Sequence, residues 1–299
     1  MASGRVVGIV ALCAAAAVAA IIGGTVLLSR NEHTTLPGRP GTPVLQLELG
    51  LRADAEAQAL RRAQKLLDAD GSPARAAAIF QLYASVDARL GLAFAQWTGP
   101  ESLPAVQSIA ASAPHSPAAQ LNLGWANYWA GRNADAATAW QVTASRFPDS
   151  PYAVDALNAL HPDVAPGLPL IVVDPTAVPA TARPDLSAGV AAWNLKQMLT
   201  AQKLLNAAAK LAPHSSEALV AAAVARFSPA QPAAPFPILG PLTAEFPHAS
   251  IVRLHLGELL LWKQEVTKGK EQLRLAVAVE PKSIYARQAR AILEALGRK

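Results

Sequence analysis

The sequence predicts an all-helical protein, a solenoid of antiparallel helical hairpins in two blocks, preceded by one transmembrane helix. Hydrophobic residues make up 52% of the 299 residues while aromatic residues make up only 5%. Much of this apolar content is alanine, which has the highest helix propensity and lets helices pack closely. A long uncharged run near the N-terminus is typical of a helix that crosses a membrane.

The apolar run covers residues 6–28, a stretch of 23 residues without a charge between Arg5 and Arg30. That length is sufficient to cross a bilayer. A cleaved signal peptide is one alternative, but the run continues past the small residues at 17–19. A lipoprotein signal is another, but Cys13 follows a bulky leucine. We expect residues 1–30 to form an uncleaved, single-pass anchor in the cell membrane, with the bulk of the chain outside the cytoplasm.

A polar spacer rich in Pro and Gly is expected at residues 31–44. Beyond it, five short turns share one form: a proline ends one helix, and a serine two or three residues later caps the next. Successive prolines of these turns are 34, 65, 34 and 34 residues apart: Pro114, Pro148, Pro213, Pro247 and Pro281. This interval predicts a repeat of two helices.

Small and large residues recur at fixed places within the repeats. A glycine lies 24 residues before the closing proline, a small residue follows it by 12 and a large apolar residue by 16. The three copies are Gly124, Ala136 and Trp140; Gly189, Ala201 and Leu205; and Gly257, Gly269 and Leu273. This pattern resembles the tetratricopeptide repeat family, most clearly from Pro117 to Pro148. The resemblance implies helical hairpins over most of residues 45–297.

Prolines divide the repeats into two blocks. Six prolines in residues 161–184 favour an extended linker, with a short extended segment at 168–173 lying on the helices. The linker separates an N-terminal block at 45–160 from a C-terminal block at 185–299. Two looser hairpins are expected first, 45–69 with 72–84 and 86–97 with 100–113. Five prolines between residues 229 and 241 predict that the second helix there is shortened and partly extended.

The resemblance also implies a binding groove, because first helices of the repeats line a concave, peptide-binding surface in this family. One stripe of such a helix carries several aromatic residues, which are frequent hot spots of binding. Together with residues carried across by position, the predicted partner-binding set is Leu121, Trp125, Tyr128, Trp129, Trp193, Leu254, Glu258 and Trp262. Packing of these side chains between adjacent repeats is the alternative.

The motifs of common enzymes are missing from the sequence. It contains no nucleophile elbow, phosphate-binding loop or dinucleotide fingerprint. His255 and Glu258 lie one helical turn apart but supply too few ligands for a metal ion. We therefore predict no catalytic residue, no metal site and no cofactor.

The basic residues are concentrated at the C-terminus, since residues 282–299 carry a net charge of +4 out of +5. A nucleic-acid-binding protein usually spreads a basic stripe over one face, so we expect no nucleic-acid partner. A solvated capping helix explains the cluster, and contact with anionic lipid or an acidic partner is the alternative.

The sequence thus predicts a membrane-tethered, nonenzymatic scaffold for a peptide or protein partner. Two alternatives stay open. One is an enzyme, or an accessory subunit of an enzyme, with a site in the groove. The other is a structural protein that self-associates through its repeat ends.

Overall fold

A computed structural model describes residues 38–50, 52–68 and 71–297 of the chain. These residues form two compact units, which divide between Leu160 and His161. The predicted transmembrane segment at residues 6–28 lies outside the described residues. Within the described ranges, no helix combines the length and the apolar character that a membrane span requires.

The N-terminal unit consists of an extended segment, here called the N-terminal strap (residues 38–49), followed by helical hairpins. Its helices are α1 Ala55–Asp68, α2 Pro73–Phe80, α3 Val86–Ala95, α4 Leu103–Ser112, α5 Pro117–Trp129, α6 Asn133–Arg146 and α7 Pro151–Leu160. Large side chains that are almost fully buried between them form one core, including Phe80, Phe94, Leu121 and Trp140. The core therefore runs continuously from the strap to the last hairpin of this unit.

The C-terminal unit has the same organisation: an extended segment, here called the C-terminal strap (residues 164–174), is followed by helical hairpins. Its helices are α8 Arg183–Asn194, α9 Met198–Leu211, α10 Ser216–Val224, α11 Phe236–Glu245, α12 Ser250–Trp262, α13 Val266–Val279 and α14 Ile284–Gly297. The predicted extended segment at 168–173 is confirmed, and it packs on helices of this unit.

Serine side chains cap the helices at four of the five repeated turns, as predicted. The hydroxyls of Ser116, Ser150, Ser215 and Ser283 each accept a hydrogen bond from the main-chain N–H three residues later. The prediction was wrong for Ser250, which is the first residue of α12 and follows Ala249 at the cap position. Its buried hydroxyl instead donates to the main-chain oxygen of Ala276 at 2.7 Å. Ser250 therefore joins two helices.

The repeated glycines lie where the two helices of a hairpin come closest. A Cβ atom on Gly124 would overlap the indole of Trp140, and one on Gly189 would lie 2.6 Å from Leu205 Cγ. These are the small and large residues that the repeat pattern pairs, so the predicted packing is confirmed. Gly91 makes an equally close approach to Phe80, outside the three clear copies.

Two predicted elements differ in the structure. Residues 45–49 were expected to begin a helix, but they are extended, and α1 begins only at Ala55. The helix before Pro247 is shortened as predicted, since α11 has 10 residues against 14 in α6, α9 and α13. It is nevertheless helical across Pro241, where partly extended backbone was expected. Pro235 and Pro237 lie at the start of α11, where main-chain N–H groups have no partner within the helix. The helix therefore loses a hydrogen bond at Pro241 alone.

Replacing Gly124 with alanine should destabilise the protein by about 1–3 kcal/mol, because the new methyl group overlaps the buried indole of Trp140. Gly240 is the matched control, because it also lies inside a helix but a Cβ added there would have no atom within 4 Å apart from its chain neighbours. Gly240→Ala should change the stability by less than about 1 kcal/mol, because the gain from a less flexible unfolded chain is opposed by the restriction on a residue before Pro241. Urea denaturation followed by circular dichroism measures both. Equal effects at the two sites would contradict the close-packing argument.

Candidate peptide-binding grooves

The N-terminal strap lies in a groove of its own unit with its leucines turned inward. Leu45, Leu47 and Leu49 are 0%, 8% and 4% exposed, whereas Val44 between Pro43 and Leu45 is 42% exposed. Alternate burial is the pattern of an extended strand that covers an apolar surface. The strap therefore contributes three side chains to the core while its backbone enters the groove.

Side chains of the groove satisfy the polar backbone of this strap. The Asn122 amide accepts from the N–H of Gln46 at 2.9 Å and donates to the main-chain oxygen of the same residue at 2.8 Å. The Tyr152 hydroxyl accepts from the N–H of Glu48 at 3.0 Å. Gln64 donates to the main-chain oxygen of Leu45 at 3.0 Å. Because an unpaired buried backbone group costs about 1–3 kcal/mol, these contacts are what permits burial.

An aromatic cluster holds the first residues of the strap. Trp125 lies 4.9 Å from Trp140 between ring centroids, and Tyr128 and Trp129 pack beside it. The guanidinium of Arg39 lies 3.4 Å above the ring of Tyr128 and also donates to the main-chain oxygen of that residue. The N–H of Arg39 donates to the main-chain oxygen of Trp129 at 2.8 Å. A cation–π contact and main-chain hydrogen bonds thus fix this end of the strap.

The C-terminal strap is held in the same manner by ionisable side chains. Leu170 N–H donates to Glu258 Oε1 at 3.1 Å, and Val172 N–H donates to His255 Nε2 at 3.0 Å. The N–H of Asp174 lies 3.1 Å from Glu217 Oε2 and 3.0 Å from the Tyr285 hydroxyl. Alternate N–H groups of the strap therefore each find a side-chain acceptor.

Burial shifts the pKa of each of these acceptors in the direction that favours the neutral form. It raises the pKa of Glu258 to about 8 and that of Glu217 to about 7, although the hydrogen bond from Tyr285 opposes the second shift. Burial lowers the pKa of His255 to about 4. His255 Nδ1 lies 2.9 Å from the main-chain oxygen of Ile251. A neutral ring with its proton on Nδ1 can donate there and still accept from the strap through Nε2.

The two grooves use equivalent positions. Arg39, Gln46 and Glu48 of the N-terminal strap correspond to Ala165, Val172 and Asp174, each 126 residues later. Their groove partners Trp129, Asn122 and Tyr152 correspond to Trp262, His255 and Tyr285, each 133 residues later. The last pair to be matched, Ala165 N–H and the Trp262 oxygen, is 3.5 Å apart. The chain therefore contains the same strap-and-groove arrangement twice.

Most of the predicted groove residues contact a strap of their own chain. Tyr128 and Trp129 hold Arg39, while Trp193 Nε1 donates to the main-chain oxygen of Pro169 at 2.7 Å. Glu258 and the main chain of Trp262 accept from the C-terminal strap. Leu121 and Leu254 are completely buried in the cores, and Trp125 packs against Trp140. Binding of a separate partner by these residues stays a prediction.

Sequence reasoning missed the polar groups that hold the straps: Asn122, Tyr152, Glu217 and Tyr285, with His255 considered only as a metal ligand. A signal was present, because Asn122 and His255 both precede the repeated glycine by two residues. Tyr152 and Tyr285 both follow the repeated proline by four. A polar residue that recurs at the same place in two repeats indicates a shared contact.

Two arginines of the basic last helix donate hydrogen bonds to the main chain just before that helix. Arg287 donates to the main-chain oxygen of Lys282 at 3.1 Å, and Arg290 donates to that of Pro281. These side chains therefore satisfy carbonyl groups at the turn before α14. The alternative, a contact with anionic lipid or an acidic partner, stays untested.

Comparisons with known proteins identified similar solved structures, among them two described as tetratricopeptide proteins and yeast Tom70. No protein-family model matches the sequence, and no curated protein matches it. The TPR2AB domain of yeast Sti1 in its pHSP90 complex is 12% identical with a TM-score of 0.34, covering 80% of this chain and 96% of that one. The TPR protein TTC0263 of Thermus thermophilus is 18% identical with a TM-score of 0.28, covering 75% and 100%. Yeast Tom70 is 11% identical with a TM-score of 0.30, covering 86% and 66%.

The buried glutamates predict a loss of stability as the pH rises. Glu258, with a pKa of about 8 in the folded state, keeps a proton that the unfolded chain releases near the ordinary glutamate value of 4.5. Folding stability therefore falls with rising pH across this window. Thermal melting should show this fall in stability between pH 6.5 and 8. Below pH 6.5 the fall is opposed, because the lowered pKa of His255 makes stability increase with pH there. Glu258→Gln should make the curve flatter.

The matched control is Glu271→Gln, since Glu271 is an exposed residue of α13. That variant should retain the pH dependence of the wild type. If Glu258→Gln retains it as well, burial of this carboxyl is not what links stability to pH.

Proposed function

We propose that this chain is a membrane-tethered, nonenzymatic scaffold whose helical grooves bind an extended segment of a protein partner. One observation carries the proposal: buried side chains at equivalent positions of both units pair with the backbone of an extended segment. Asn122 and Tyr152 do so in one groove, and His255 and Tyr285 in the other.

Grooves of this kind suit peptide recognition for a physical reason. An extended peptide presents an N–H group toward the same edge at every second residue, and acceptors at that spacing bind it irrespective of side-chain identity. Apolar space below the backbone then selects the side chains, as it does for Leu45 and Leu47. Main-chain hydrogen bonds supply affinity and the pockets supply specificity in such complexes.

The tether in this proposal is the uncharged run at residues 6–28, followed by a short polar segment. A scaffold held at a membrane meets its partners in two dimensions, which raises their effective concentration. With the bulk of the chain outside the cytoplasm, the grooves would act on a partner in that compartment.

Affinity capture from solubilised membranes tests the scaffold function with the full chain as bait. Asn122→Ala combined with Tyr152→Phe removes the acceptors for extended backbone and should lose the partner. Leu82→Ala is the control, because this side chain is 71% exposed and lies in the same unit. The control should keep the partner at the wild-type level, and circular dichroism should confirm that both variants are folded.

Two results would refute the proposal. Capture of one partner set by all three baits would show that the grooves are not the binding surface. Enrichment of no protein either by the wild type or by a chain whose Leu45 and Leu47 are both replaced with aspartate, which frees the groove, would remove the scaffold function itself.

The tether has its own test. The full chain should stay in the membrane pellet after an alkaline carbonate wash, whereas a chain that begins at residue 31 should be released. Release of the full chain by the wash would contradict a membrane-spanning anchor, and cleavage near residue 19 would be visible as a shorter mature chain.

A further inference from the structure

We propose that the N-terminal strap is a removable internal ligand, and that its groove binds a partner segment with aliphatic side chains at alternate positions. The inference rests on the proposed scaffold function and adds the partner's chemistry and a means of regulation. The structure represents a closed state, in which the strap occupies the site that the partner segment would otherwise bind.

The strap is bound as a ligand is bound, through a contact set that the chain repeats. Backbone groups at Arg39, Gln46 and Glu48 meet the groove in the same order as those at Ala165, Val172 and Asp174. The strap residues keep one offset of 126, and the groove residues keep one of 133. Two independent sets of chance contacts would not share both offsets, so each groove is a built site for extended chain.

The chemistry of the strap defines that of its replacement. Three aliphatic side chains enter the core at alternate positions, and the residues between them donate N–H groups to Asn122 and Tyr152. The acceptors of this groove are an amide and a phenol, so no charge on the ligand is required. A partner segment of the form aliphatic-x-aliphatic-x-aliphatic in an extended conformation satisfies the same groups.

The N-terminal strap is the one suited to leave. Two side chains, Asn122 and Tyr152, accept its N–H groups, whereas four accept those of the C-terminal strap: Glu217, His255, Glu258 and Tyr285. The equivalent of Glu258 in the N-terminal groove is Trp125, which has no carboxylate. Gly50, with φ of +54°, directly follows the strap and lets the chain turn there. Release of the N-terminal strap therefore leaves fewer buried side-chain acceptors without a partner.

Release would also uncover the aromatic residues that the sequence marks for binding. Arg39 covers the ring of Tyr128 at 3.4 Å and bonds the main chain of Trp129. Both aromatic side chains are half-buried with the strap in place. A partner with a cation six residues before its first buried aliphatic residue would reproduce the contact that Arg39 makes before Leu45.

A labelled peptide of residues 38–49 tests the exchange on the full chain. Leu45→Asp with Leu47→Asp weakens the internal strap, because two buried leucines become charged. Fluorescence polarisation should show that this strap variant binds the peptide at least about tenfold more tightly than the wild type does. Adding Asn122→Ala should reduce that affinity by about tenfold, since each lost hydrogen bond to a buried partner has an effect of this order. A peptide carrying the same two aspartates is the control and should not bind.

The outcomes separate this inference from the scaffold function. Equal peptide binding by the wild type and the strap variant overturns the inference, as does binding that survives Asn122→Ala. A protein partner that both chains capture equally, without competition from the peptide, leaves the scaffold function standing and removes the strap from it. Failure to capture any partner removes the scaffold function, while the peptide assay still reports on the groove.

Hydrogen exchange of the wild type provides a second test that needs no variant. If the strap opens by itself, the N–H groups of Gln46 and Glu48 exchange faster than those of α5 while α5 stays protected. Unlabelled peptide in excess should leave α5 protected and keep the strap amides open. Exchange of the strap and α5 at one common rate means that they unfold together, which overturns the inference even where the strap variant does not fold.

Discussion

The constraint on which both units depend is that an extended backbone in a helical groove brings polar groups that the backbone in the middle of a helix cannot pair. Helix backbones use their own N–H and C=O groups internally except at the helix ends, so partners along the middle of the strap must come from side chains. The free main-chain oxygens of Trp129 and Trp262, at helix ends, accept from the first residues of the two straps. Asn122 and His255 meet this need from the middle of first helices, where both side chains are completely buried. Each core therefore needs a polar residue before the apolar side chains of its strap can be buried. These are the three leucines of the N-terminal strap and Ile171 of the C-terminal strap.

The two units satisfy the same constraint with different chemistry. In the N-terminal groove an amide both accepts from and donates to Gln46, and no ionisable acid or imidazole is used. In the C-terminal groove, burial shifts the pKa values of Glu217, Glu258 and His255 in the direction that favours the neutral form of each. Burying an ionisable group costs free energy unless it is neutral or paired. Four side chains thus accept N–H groups of the C-terminal strap, and the pKa values of three of them are shifted by burial. Two side chains, an amide and a phenol, accept those of the N-terminal strap.

Much of the helical fold was predictable from the sequence, because close packing leaves a fixed pattern. Gly124 and Trp140 are 16 residues apart in sequence and touch in space, as the repeat pattern requires. The N-terminal strap was missed because residues 45–49 were assigned to the following helix, although alternate leucines have the period of a strand. Alternation over five residues is a weak signal beside a long helical pattern. The groove acceptors were missed for another reason: one polar residue on a helix looks solvated until the segment that covers it is known.

The contacts of the N-terminal strap bear on both interpretations of the aromatic stripe on α5. From the sequence, Trp125, Tyr128 and Trp129 could be either a binding surface or packing between repeats. In the structure Trp125 packs against Trp140 within the core, while Tyr128 and Trp129 hold Arg39 of an extended segment. The stripe is therefore both packing and binding surface, and its present ligand is part of the same chain. A groove that already binds extended backbone in cis needs no new chemistry to bind it in trans, because the competing segment differs only in its connection. The affinity of a partner is then set by how much more tightly it binds than a strap held nearby at high effective concentration.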